Sequence, residues 1–539
     1  MQITAPRFSA VVIALLSTSL GLTPLSVTAR AQESKESFSP TDYVNPMIGT
    51  GGRVHMYPGA TLPFGMVQIS PDTPERGWAG TSGYHYKENT IWGFSQTHLS
   101  GTGIGGLGDV LVMPTVGEVA LEPGTPGSGY ASRFSHDNEK ASPGYYRVFL
   151  ENPRVTAELT ATNRCGYHRY SFPQSEEAHI VIDLAHGIAN RPLGATLKVE
   201  NDTTLSGSRL VRDWGGQREV YFVLQFSKPF ESIGIESDGK RLEAGTREAS
   251  GVKVKTFANY STDMGEVIEV KVGISGTSIE GARKNLKAEL PGWGFEETRL
   301  AAKQSWEKVL GTVDAQIADP KIRTTFYTNL YQCFLGPVLF NDVDGAYRGL
   351  DRKNHEGEGF QNYTTFSLWD TFRAQAPLMT LLQPERVPDM MSSMLAHYKY
   401  FGKNSMPVWP LWGNETWCMI GYHSAPLVAD AYLKGFRGFD AEALYQALKD
   451  TAMQDRNGLD EYRKNGFIYS TVVRGSKQSV ARTLEYAYDD YCIAKLAQAL
   501  GHQEDAQLFF QRAGNYRNVF DANSGFMRGR KPDGSWRVP

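Results

Sequence analysis

The stretch GEVIEVKVGISGTSIEGARKNLKAEL, residues 265–290, contains the change of pattern that decides the fold. Its first part alternates valine and isoleucine with polar residues up to Ser275, which is typical of a β-strand. Its second part, residues 278–290, places apolar residues three and four positions apart, which is typical of an amphipathic helix. The sequence therefore predicts a β domain before position 277 and helical structure after it.

Residues 38–276 carry the pattern of many short antiparallel strands. Runs rich in β-branched and aromatic residues, such as HIVIDLA (179–185) and REVYFVLQF (218–226), are separated by Gly, Asp, Asn or Pro. Strands at this spacing predict an antiparallel β-sandwich. Between 75 and 130 glycine and hydroxyl residues are dense and periodicity is weak. That segment is predicted to be a long ordered surface loop, a kind of segment that usually carries function.

Helical periodicity continues to the end of the sequence. Residues 277–313 are predicted to form a helical linker, and residues 314–539 a ring of helical hairpins, an (α/α)6-type toroid. A ring of six hairpins needs about twelve helices and the pattern supplies about seven, so we expect the toroid to be incomplete in this chain. The predicted helices cover residues 320–340, 366–382, 386–402, 417–435, 441–453, 479–500 and 504–520.

Composition and charge exclude several classes of protein. With 41% hydrophobic and 21% charged residues, the 539-residue chain is neither disordered nor fibrous. The 55 basic and 58 acidic residues leave a net charge of -3, which argues against nucleic acid or an anionic membrane as partner. A neutral ligand fits better. The aromatic content of 12% suggests flat faces for sugar rings, although core and interface packing is the commoner use of aromatic side chains.

The first 31 residues are predicted to be a secretory signal peptide. Arg7 provides the positive start, residues 8–22 are an apolar run, and Ala29-Arg30-Ala31 is a small-x-small cleavage site. No later segment reaches about 18 consecutive apolar residues, so we expect an exported protein without a transmembrane segment. The four scattered cysteines fit neither a disulfide framework nor a zinc site, and buried thiols with one possible pair are expected.

Two stretches combine carboxylates with tryptophan. In YTTFSLWDTFR (363–373), Asp370 and Arg373 share a helix face, either as a functional pair or as a capping carboxylate with an intrahelical ion pair. In MPVWPLWGNETWCMIGYHS (406–424), three tryptophans surround Glu415, and His423 follows. This loop is predicted to line a polar cavity, with His423 as a donor to a hydroxyl or, alternatively, as a satisfied core histidine.

A third cluster lies in the predicted helix TLEYAYDDY (483–491). Glu485 and Asp489 share a face there, and two like charges need a compensating cation, for which Arg482 is the candidate. Ion pairing is the expected role of Asp489 and Asp490, and Glu485 is expected to form part of the cavity wall. The string GTGIGG lacks the ending and the βαβ context of a nucleotide loop, and no zinc or EF-hand motif occurs, so any metal site must be assembled from distant residues.

Eight strings resemble glycoside hydrolase family 92, a family of exo-acting α-mannosidases abundant in gut Bacteroidetes. The match runs in order from about position 43 to 539, and the combination of strings is specific although no single string is. The strings are YVNPMIGTGG, YPGATLPFGMVQISPDT, SGYHY, GFSQTHLSGTG, YRG, WDTFR, LWGNETWCMIGYHS and TLEYAYDDYCIAKLAQALG.

The resemblance implies a β-sandwich joined by helices to an (α/α)6 barrel, and an inverting hydrolysis of terminal α-mannosides, often α1,2-linked, of N-glycans or mannans. It also implies a Ca²⁺ cofactor that grips O2 and O3 of the sugar. The family's general acid is a Glu followed by Gly-Asn-Ala-Trp, and its base lies in an Asn-Asp-Asp segment. Neither pattern occurs in this sequence, so no catalytic residue is assigned. Both groups are expected beyond Pro539, in a C-terminally truncated chain that is inactive alone.

Five residues are assigned to substrate binding from the resemblance. Asp370 matches the family's substrate-holding aspartate, with Arg373 beside it, and Trp78 matches an indole on the leaving-group side. Glu415 and His423 match a recurring motif without an assigned duty, and the calcium ligands are unknown. The expected location is the periplasm or surface of a Gram-negative bacterium. The alternatives are another inverting glycosidase, a glycoside phosphorylase or a non-catalytic glycan-binding protein.

Overall fold

The alternating runs in the first half of the chain form strands. The structure is a computed structural model that describes residues 38–357, 359–470 and 478–538. Branched and aromatic residues at every second position give these strands a face for a core. The strands are β1 (Ala60–Thr61), β2 (Gln68–Asp72), β3 (Thr90–Ile91), β4 (Gly93–Ser95), β5 (Leu111–Val116), β6 (Ser132–Arg133), β7 (Glu139–Ser142), β8 (Tyr145–Leu150), β9 (Val155–Ala161), β10 (Cys165–Ser171), β11 (Ser175–Asp183), β12 (Arg191–Val199), β13 (Thr204–Asp213), β14 (Gly216–Phe226), β15 (Ser232–Ser237), β16 (Lys240–Arg241), β17 (Glu248–Gly251), β18 (Val254–Thr262) and β19 (Val267–Ser275).

Most of these strands build a sandwich of two antiparallel sheets. One sheet has eight strands in the order β1-β2-β4-β5-β11-β18-β15-β16, and the other has nine in the order β17-β12-β13-β14-β19-β10-β9-β8-β7. Ile180 in β11 and Leu224 in β14 belong to one buried core, so the two sheets pack face to face. Within the second sheet, Leu205 of β13 pairs with Leu224 in antiparallel register. The predicted antiparallel sandwich is confirmed.

The segment 75–130 is not the single long surface loop that its composition predicted. It contains β4 and the six-residue β5, which pairs with β11 inside the first sheet. The glycines mark close packing rather than exposure. At Gly108, whose φ is +78°, an added Cβ would lie 2.8 Å from the backbone nitrogen of Ile188. The loop proper is the shorter run between β4 and β5.

The second half of the chain is helical, with short two-stranded ladders between helices. Tyr331, Met394, Val428 and Ile493 belong to its buried core. The order of a β domain followed by a helical domain is confirmed. The helices are α1 (Ile279–Glu289), α2 (Phe295–Leu310), α3 (Pro320–Cys333), α4 (Leu368–Thr371), α5 (Gln375–Leu382), α6 (Val387–Phe401), α7 (Ser424–Leu433), α8 (Ala441–Ala452), α9 (Leu459–Asn465), α10 (Ser479–Leu500) and α11 (Gln503–Ala513). The short strands are β20 (Val338–Leu339), β21 (Tyr347–Arg348), β22 (Asn354–His355), β23 (Tyr363–Thr364), β24 (Pro410–Leu411), β25 (Asn414–Glu415), β26 (Phe520–Asp521) and β27 (Phe526–Met527).

Four predicted helices are shorter or more broken than their apolar periodicity indicated. The helix predicted over 504–520 is α11, which ends at Ala513, and the helix predicted over 366–382 is divided into α4 and α5. The helix predicted over 320–340 is α3, which ends at Cys333 and is followed by β20. The helix predicted over 417–435 is α7, which begins seven residues late because Trp417 and Met419 have φ of 55° and 72°. Residues other than glycine rarely adopt this left-handed backbone conformation, and a residue in it cannot continue a right-handed helix.

Several sequence predictions concern the ends and the cysteines. The predicted signal peptide, residues 1–31, lies outside the described residues. Among the residues that the structure does describe, no helix is long and apolar enough to cross a membrane. All four cysteines are unpaired: Cys165 and Cys492 are buried, and Cys333 and Cys418 are partly exposed. The disulfide pair that the sequence left open is therefore not formed.

Side chains of the sandwich bind the helical half directly. Arg164 Nε donates to the carbonyl oxygen of Asn341 at 2.5 Å, and Arg164 Nη1 donates to Glu289 Oε1 at 2.8 Å. Asn414 Nδ2 of β25 donates to the carbonyl oxygen of Gln217 in β14 at 3.0 Å. Both halves belong to one compact unit. These contacts join the two halves, and a cleft forms between them.

Asp490 in α10 is a fully buried carboxylate. It accepts hydrogen bonds from Tyr422 Oη at 2.7 Å, Tyr462 Oη at 2.9 Å and Arg512 Nε at 2.9 Å. Burial raises the pKa of Asp490 to about 6, although Arg512 and the two hydroxyls act in the opposite direction. The folded protein therefore holds the Asp490 proton more tightly than the unfolded chain, whose aspartates titrate near about 3.9.

This proton predicts a pH-dependent stability. The contribution of protonated Asp490 is fully present below about pH 4 and is lost as pH rises through about 6. Relative to an Asp490→Asn variant, we expect the free energy of unfolding of the wild-type protein to fall between pH 4 and pH 7. Urea unfolding followed by tryptophan fluorescence at several pH values measures the difference. Equal pH slopes in the two proteins would contradict the prediction.

Candidate functional site

A cleft of about 710 Å³ lies between the sandwich and the helical domain. The sandwich contributes the loop around Ser100 and Thr102, and the helical domain contributes the end of α3, Asp370 of α4 and the indoles of Trp409 and Trp412. Its volume is in the range of pockets that bury a small ligand. A wall of indoles with one carboxylate suits a neutral, hydroxyl-rich molecule with apolar faces.

Asp370 is the carboxylate of this cleft and is solvent-exposed. It lies in the first turn of α4, where its backbone N–H donates to the carbonyl oxygen of Ser367 at 3.1 Å. The Ser367 hydroxyl donates to Asp370 Oδ2. In turn, Trp409 Nε1 donates to Ser367 Oγ at 2.7 Å. Asp370 is thus fixed by neighbours within the cleft wall, and the intrahelical pair with Arg373 that the sequence left open is absent.

Glu415 shapes the loop that carries the indoles. Its carboxylate accepts from the backbone N–H of Val408 at 2.9 Å, of Trp409 at 3.0 Å and of Trp417 at 2.6 Å. Burial raises the pKa of Glu415, although these three donors and Arg456 counteract the shift. Glu415 therefore acts inside the protein, by folding the loop around its own carboxylate.

The backbone of the cleft wall is strained. Thr365 and Trp412, which both line the cleft, have φ of 63° and 45°. Non-glycine residues adopt such values at a cost of order 1–3 kcal/mol, and they cluster at functional sites. Thr365 is held in place by its N–H, which donates to the carbonyl oxygen of Pro410 at 2.9 Å. The strain supports the assignment of this cleft as the site.

Arg373 and His423 meet in a second cluster, beside Glu485 of α10. Arg373 Nη2 lies 3.3 Å from Glu485 Oε1, which also accepts from Trp369 Nε1 at 3.1 Å. His423 is buried, and its Nδ1 lies 2.8 Å from Asp489 Oδ1. Burial alone lowers the pKa of His423, but Asp489 and Glu485 outweigh it and the pKa lies above the usual value.

This cluster corrects one expectation from the sequence. Arg482, the candidate cation for the helix acids, instead donates to Gln478 Oε1 and to the carbonyl oxygen of Asn457. The compensating charges come from other elements, namely Arg373 for Glu485 and His423 for Asp489. His423 Nδ1 is paired with Asp489, but its buried Nε2 has no hydrogen-bond partner among the described residues, so its assignment to substrate binding stays a prediction.

Trp78 lies at the sandwich side of the cleft and is 58% exposed. Its ring packs on Gly103, where an added Cβ would lie 2.3 Å from the indole, and its edge meets the ring of His55 with 5.2 Å between centroids. Gly103 adjoins Thr102, which lines the cleft. Trp78 is therefore a rigid aromatic surface next to the cleft, and its contact with a ligand stays a prediction.

Buried ionisable groups stabilise the sandwich loop between β4 and β5, which lines the cleft. His98 Nδ1 lies 2.7 Å from the carbonyl oxygen of Gln68 and its Nε2 lies 2.9 Å from Asp72 Oδ1, while His186 Nε2 lies 2.8 Å from Asp72 Oδ2. Burial alone would raise the pKa of Asp72, but the two imidazoles hold it well below its usual range. Both nitrogens of His98 are engaged, so His98 supports the loop.

Ser367 and His98 were not selected from the sequence as site residues. For Ser367 a signal existed, since a serine three residues before Asp370 has the spacing of a helix N-cap. For His98 the decisive partner is Asp72, which is 26 residues distant in the sequence. Only the fold brings that pair together.

Comparison with known proteins supports this architecture. The N-terminal domain of glycosyl hydrolase family 92 matches residues 43–275, and the catalytic domain of the same family matches residues 281–539. The chain belongs to glycoside hydrolase family 92. The family resemblance predicted from the eight sequence strings is therefore confirmed.

Solved family 92 structures share the fold. A family GH92 α-mannosidase from Bacteroides thetaiotaomicron is 45% identical, with a TM-score of 0.90 over 93% of this chain and 68% of that chain. That enzyme was also solved with mannoimidazole. A family GH92 inverting mannosidase of the same organism is 30% identical, with a TM-score of 0.83 over 94% of this chain and 68% of that chain.

A curated relative comes from a fungus. A protein of Arthroderma benhamiae named as an uncharacterized secreted glycosidase is 25% identical over 551 residues, which cover 92% of this chain and 66% of that protein. This family 92 chain thus spans about two thirds of the length of these relatives. Its cleft lies where the two matched family 92 domains meet.

The family 92 resemblance implies a calcium ion, which needs a group of oxygen-bearing side chains to bind it. Ca²⁺ takes six to eight oxygen ligands, usually including several carboxylates. Within the residues that the structure describes, no three His, Cys, Asp or Glu side chains are grouped so that they could hold a metal ion. The described side chains therefore do not fit a carboxylate-rich calcium site.

Proposed function

We propose that this chain holds the mannosyl unit of terminal α-mannosides in the cleft and serves their hydrolysis. The exposed carboxylate of Asp370, fixed in an indole-lined cleft, carries the proposal. The names of the solved relatives, an α-mannosidase and an inverting mannosidase, support mannosides as the substrate class. The mannoimidazole bound to one of those relatives supports a single mannosyl ring as the bound group.

Unsatisfied polar atoms in the cleft wall favour a ligand rich in hydroxyl groups. Thr365 Oγ1 and Trp412 Nε1 are buried and have no hydrogen-bond partner within the described part of the chain. A buried polar group without a partner costs about 1–3 kcal/mol, which a sugar hydroxyl can recover.

The chemical step is proposed to be a single displacement with inversion. It needs one carboxylic acid on the leaving oxygen and one carboxylate base on the opposite face, roughly 6.5–9.5 Å apart. The sequence patterns that the resemblance assigns to this acid and base do not occur in the 539 residues. We therefore propose that this chain binds mannosides and does not hydrolyse them by itself.

Calorimetry with mannoimidazole tests the proposed binding. We expect the full chain to bind mannoimidazole and to bind the gluco-configured imidazole at least about tenfold more weakly, since one reversed hydroxyl leaves polar groups of the cleft unpaired. Failure to bind mannoimidazole would overturn the proposed function. Release of nitrophenol from 4-nitrophenyl α-mannoside by this chain would overturn the proposed absence of an acid and base.

Calcium, α1,2 linkage preference and export are further parts of the proposal. Export is supported by the signal-peptide pattern and by the word secreted in the name of the fungal relative. Calcium rests on the family resemblance alone. Repeating the mannoimidazole titration with excess EDTA, and then with excess CaCl₂, measures whether affinity depends on the ion. A panel of α1,2-, α1,3- and α1,6-mannobioses measures the linkage preference.

A further inference from the structure

A chain of hydrogen bonds leads from Trp409 to Asp370. Trp409 Nε1 lies 2.7 Å from Ser367 Oγ, and Ser367 Oγ contacts Asp370 Oδ2. An indole N–H can only donate, so Ser367 Oγ must accept from it. The single hydroxyl proton of Ser367 is then left for the carboxylate. The chain therefore has one possible direction, from the indole through the serine to Asp370.

Trp409 is held firmly by both domains. It is 3% exposed, and its ring stands edge-on to Trp214 of the sandwich with 5.0 Å between centroids. Its backbone N–H donates to Glu415 Oε1 at 3.0 Å. Because both the ring and the backbone of Trp409 are held, its indole N–H keeps one direction. A donor with a fixed direction can orient the group that accepts from it.

Asp370 gains a fixed orientation from these contacts while one oxygen stays free. Ser367 engages Asp370 through its carbonyl oxygen, which accepts from the Asp370 N–H, and through its hydroxyl. Within the described part of the chain, no group hydrogen-bonds Asp370 Oδ1. An exposed side chain on a four-residue helix otherwise samples several rotamers, and this freedom is lost when a ligand binds.

We propose that Trp409 is a positioning residue that acts through Ser367 to fix the Asp370 carboxylate for a sugar hydroxyl. The proposal rests on the proposed function and names a device within the same site. The entropy of ordering the Asp370 side chain is lost on folding rather than on binding, so the ligand meets a carboxylate that is already oriented. The contact between Trp409 and Trp214 also makes this orientation depend on the sandwich domain.

Trp409→Phe removes the N–H and keeps an aromatic ring in the wall. We expect the full-length variant to bind mannoimidazole about tenfold more weakly than wild type, and Ser367→Ala to have a similar effect, since each breaks the same chain of hydrogen bonds. In an Asp370→Asn background, Trp409→Phe should add at most about a twofold loss, because the group it orients is already altered. Effects that simply multiply, or an unchanged affinity in Trp409→Phe, would overturn the proposal.

A matched control separates positioning from lost stability. Trp306 is fully buried, and its Nε1 donates to the carbonyl oxygen of Thr61 at 2.7 Å, inside the helical core. Trp306→Phe removes the same kind of hydrogen bond, so we expect a lower melting temperature with unchanged mannoimidazole affinity. Equal affinity losses in Trp306→Phe and Trp409→Phe would assign the effect to general destabilisation and overturn the proposal.

A crystal structure of Trp409→Phe tests the positioning without a ligand. We expect the Ser367 hydroxyl to leave Asp370, and the carboxylate to change rotamer or spread over several. An unchanged Ser367 and Asp370 geometry would overturn the positioning role whether or not mannoimidazole binds. If wild type fails to bind mannoimidazole but the variant shows the rearrangement, the proposed function fails and the positioning role stands.

Discussion

Asp370→Asn is expected to weaken mannoimidazole binding by about 10- to 150-fold. The estimate follows from the value of a hydrogen bond to a charged group, about 1.5–3 kcal/mol, at about 1.4 kcal/mol for each factor of ten in affinity. Asparagine keeps the size of the side chain and replaces one acceptor oxygen by an NH₂ group. That group points a donor at the Ser367 hydroxyl or at the ligand, and either arrangement loses a bond. Calorimetry on the full chain measures the change.

A second aspartate provides the control for this variant. Asp314 is exposed in the segment after α2, where it accepts from Gln316 Nε2 at 2.8 Å. Asp314→Asn makes the same change of charge away from the lining of the cleft, so its affinity should match that of wild type. Equal affinities of Asp370→Asn and wild type would remove Asp370 from the binding site and leave the proposed function without its main support.

Local sequence patterns were sufficient for the succession of domains. Apolar periodicity is a short-range property, and it changes from two to about 3.6 within the stretch 265–290, where β19 ends and α1 begins. Asp370 was selected as well, because its motif is contiguous, and the structure places it in the lining of the cleft. Patterns of this kind reflect the preferences of residues that are close in the sequence. Strands and helices form over the same short range, so the patterns predict them.

The side-chain contacts that organise the site could not be predicted from such local patterns. Arg373 and Glu485 are 112 residues apart, and His423 and Asp489 are 66 apart. The sequence offered Arg482 as the partner of the helix acids, because it is the nearest cation in the same helix. The fold provides different partners, from the turn between α4 and α5 and from the loop before α7. Pairings across the helical domain depend on packing, which spacing within one helix does not encode.

Asp109 offers the prediction with the largest effect on stability. Its carboxylate is completely buried and binds two guanidinium groups, those of Arg209 and Arg218, the latter at 2.6 Å, and it accepts from Thr97 Oγ1 at 2.7 Å. Burial alone would raise the pKa of Asp109, but the two arginines hold it below the usual value. Thr97 and Asp109 lie at the two ends of the glycine-rich loop that lines the cleft, so this ion cluster closes the loop.

Asp109→Asn is expected to lower the free energy of unfolding of the sandwich by about 3–5 kcal/mol, because it leaves the buried guanidinium of Arg209 without a carboxylate partner, while Arg218 keeps Asp213 at 3.0 Å. For a domain of this size the loss corresponds to a fall in melting temperature of roughly 6–20 °C, measurable by differential scanning calorimetry. Asp202→Asn, at an exposed position of the same domain, should change stability by less than about 0.5 kcal/mol. Adding Arg209→Met to Asp109→Asn removes the guanidinium that has lost its carboxylate partner, so the double variant should be less destabilised than the sum of the single variants. Additive losses would contradict the charge argument and leave only the loss of packing.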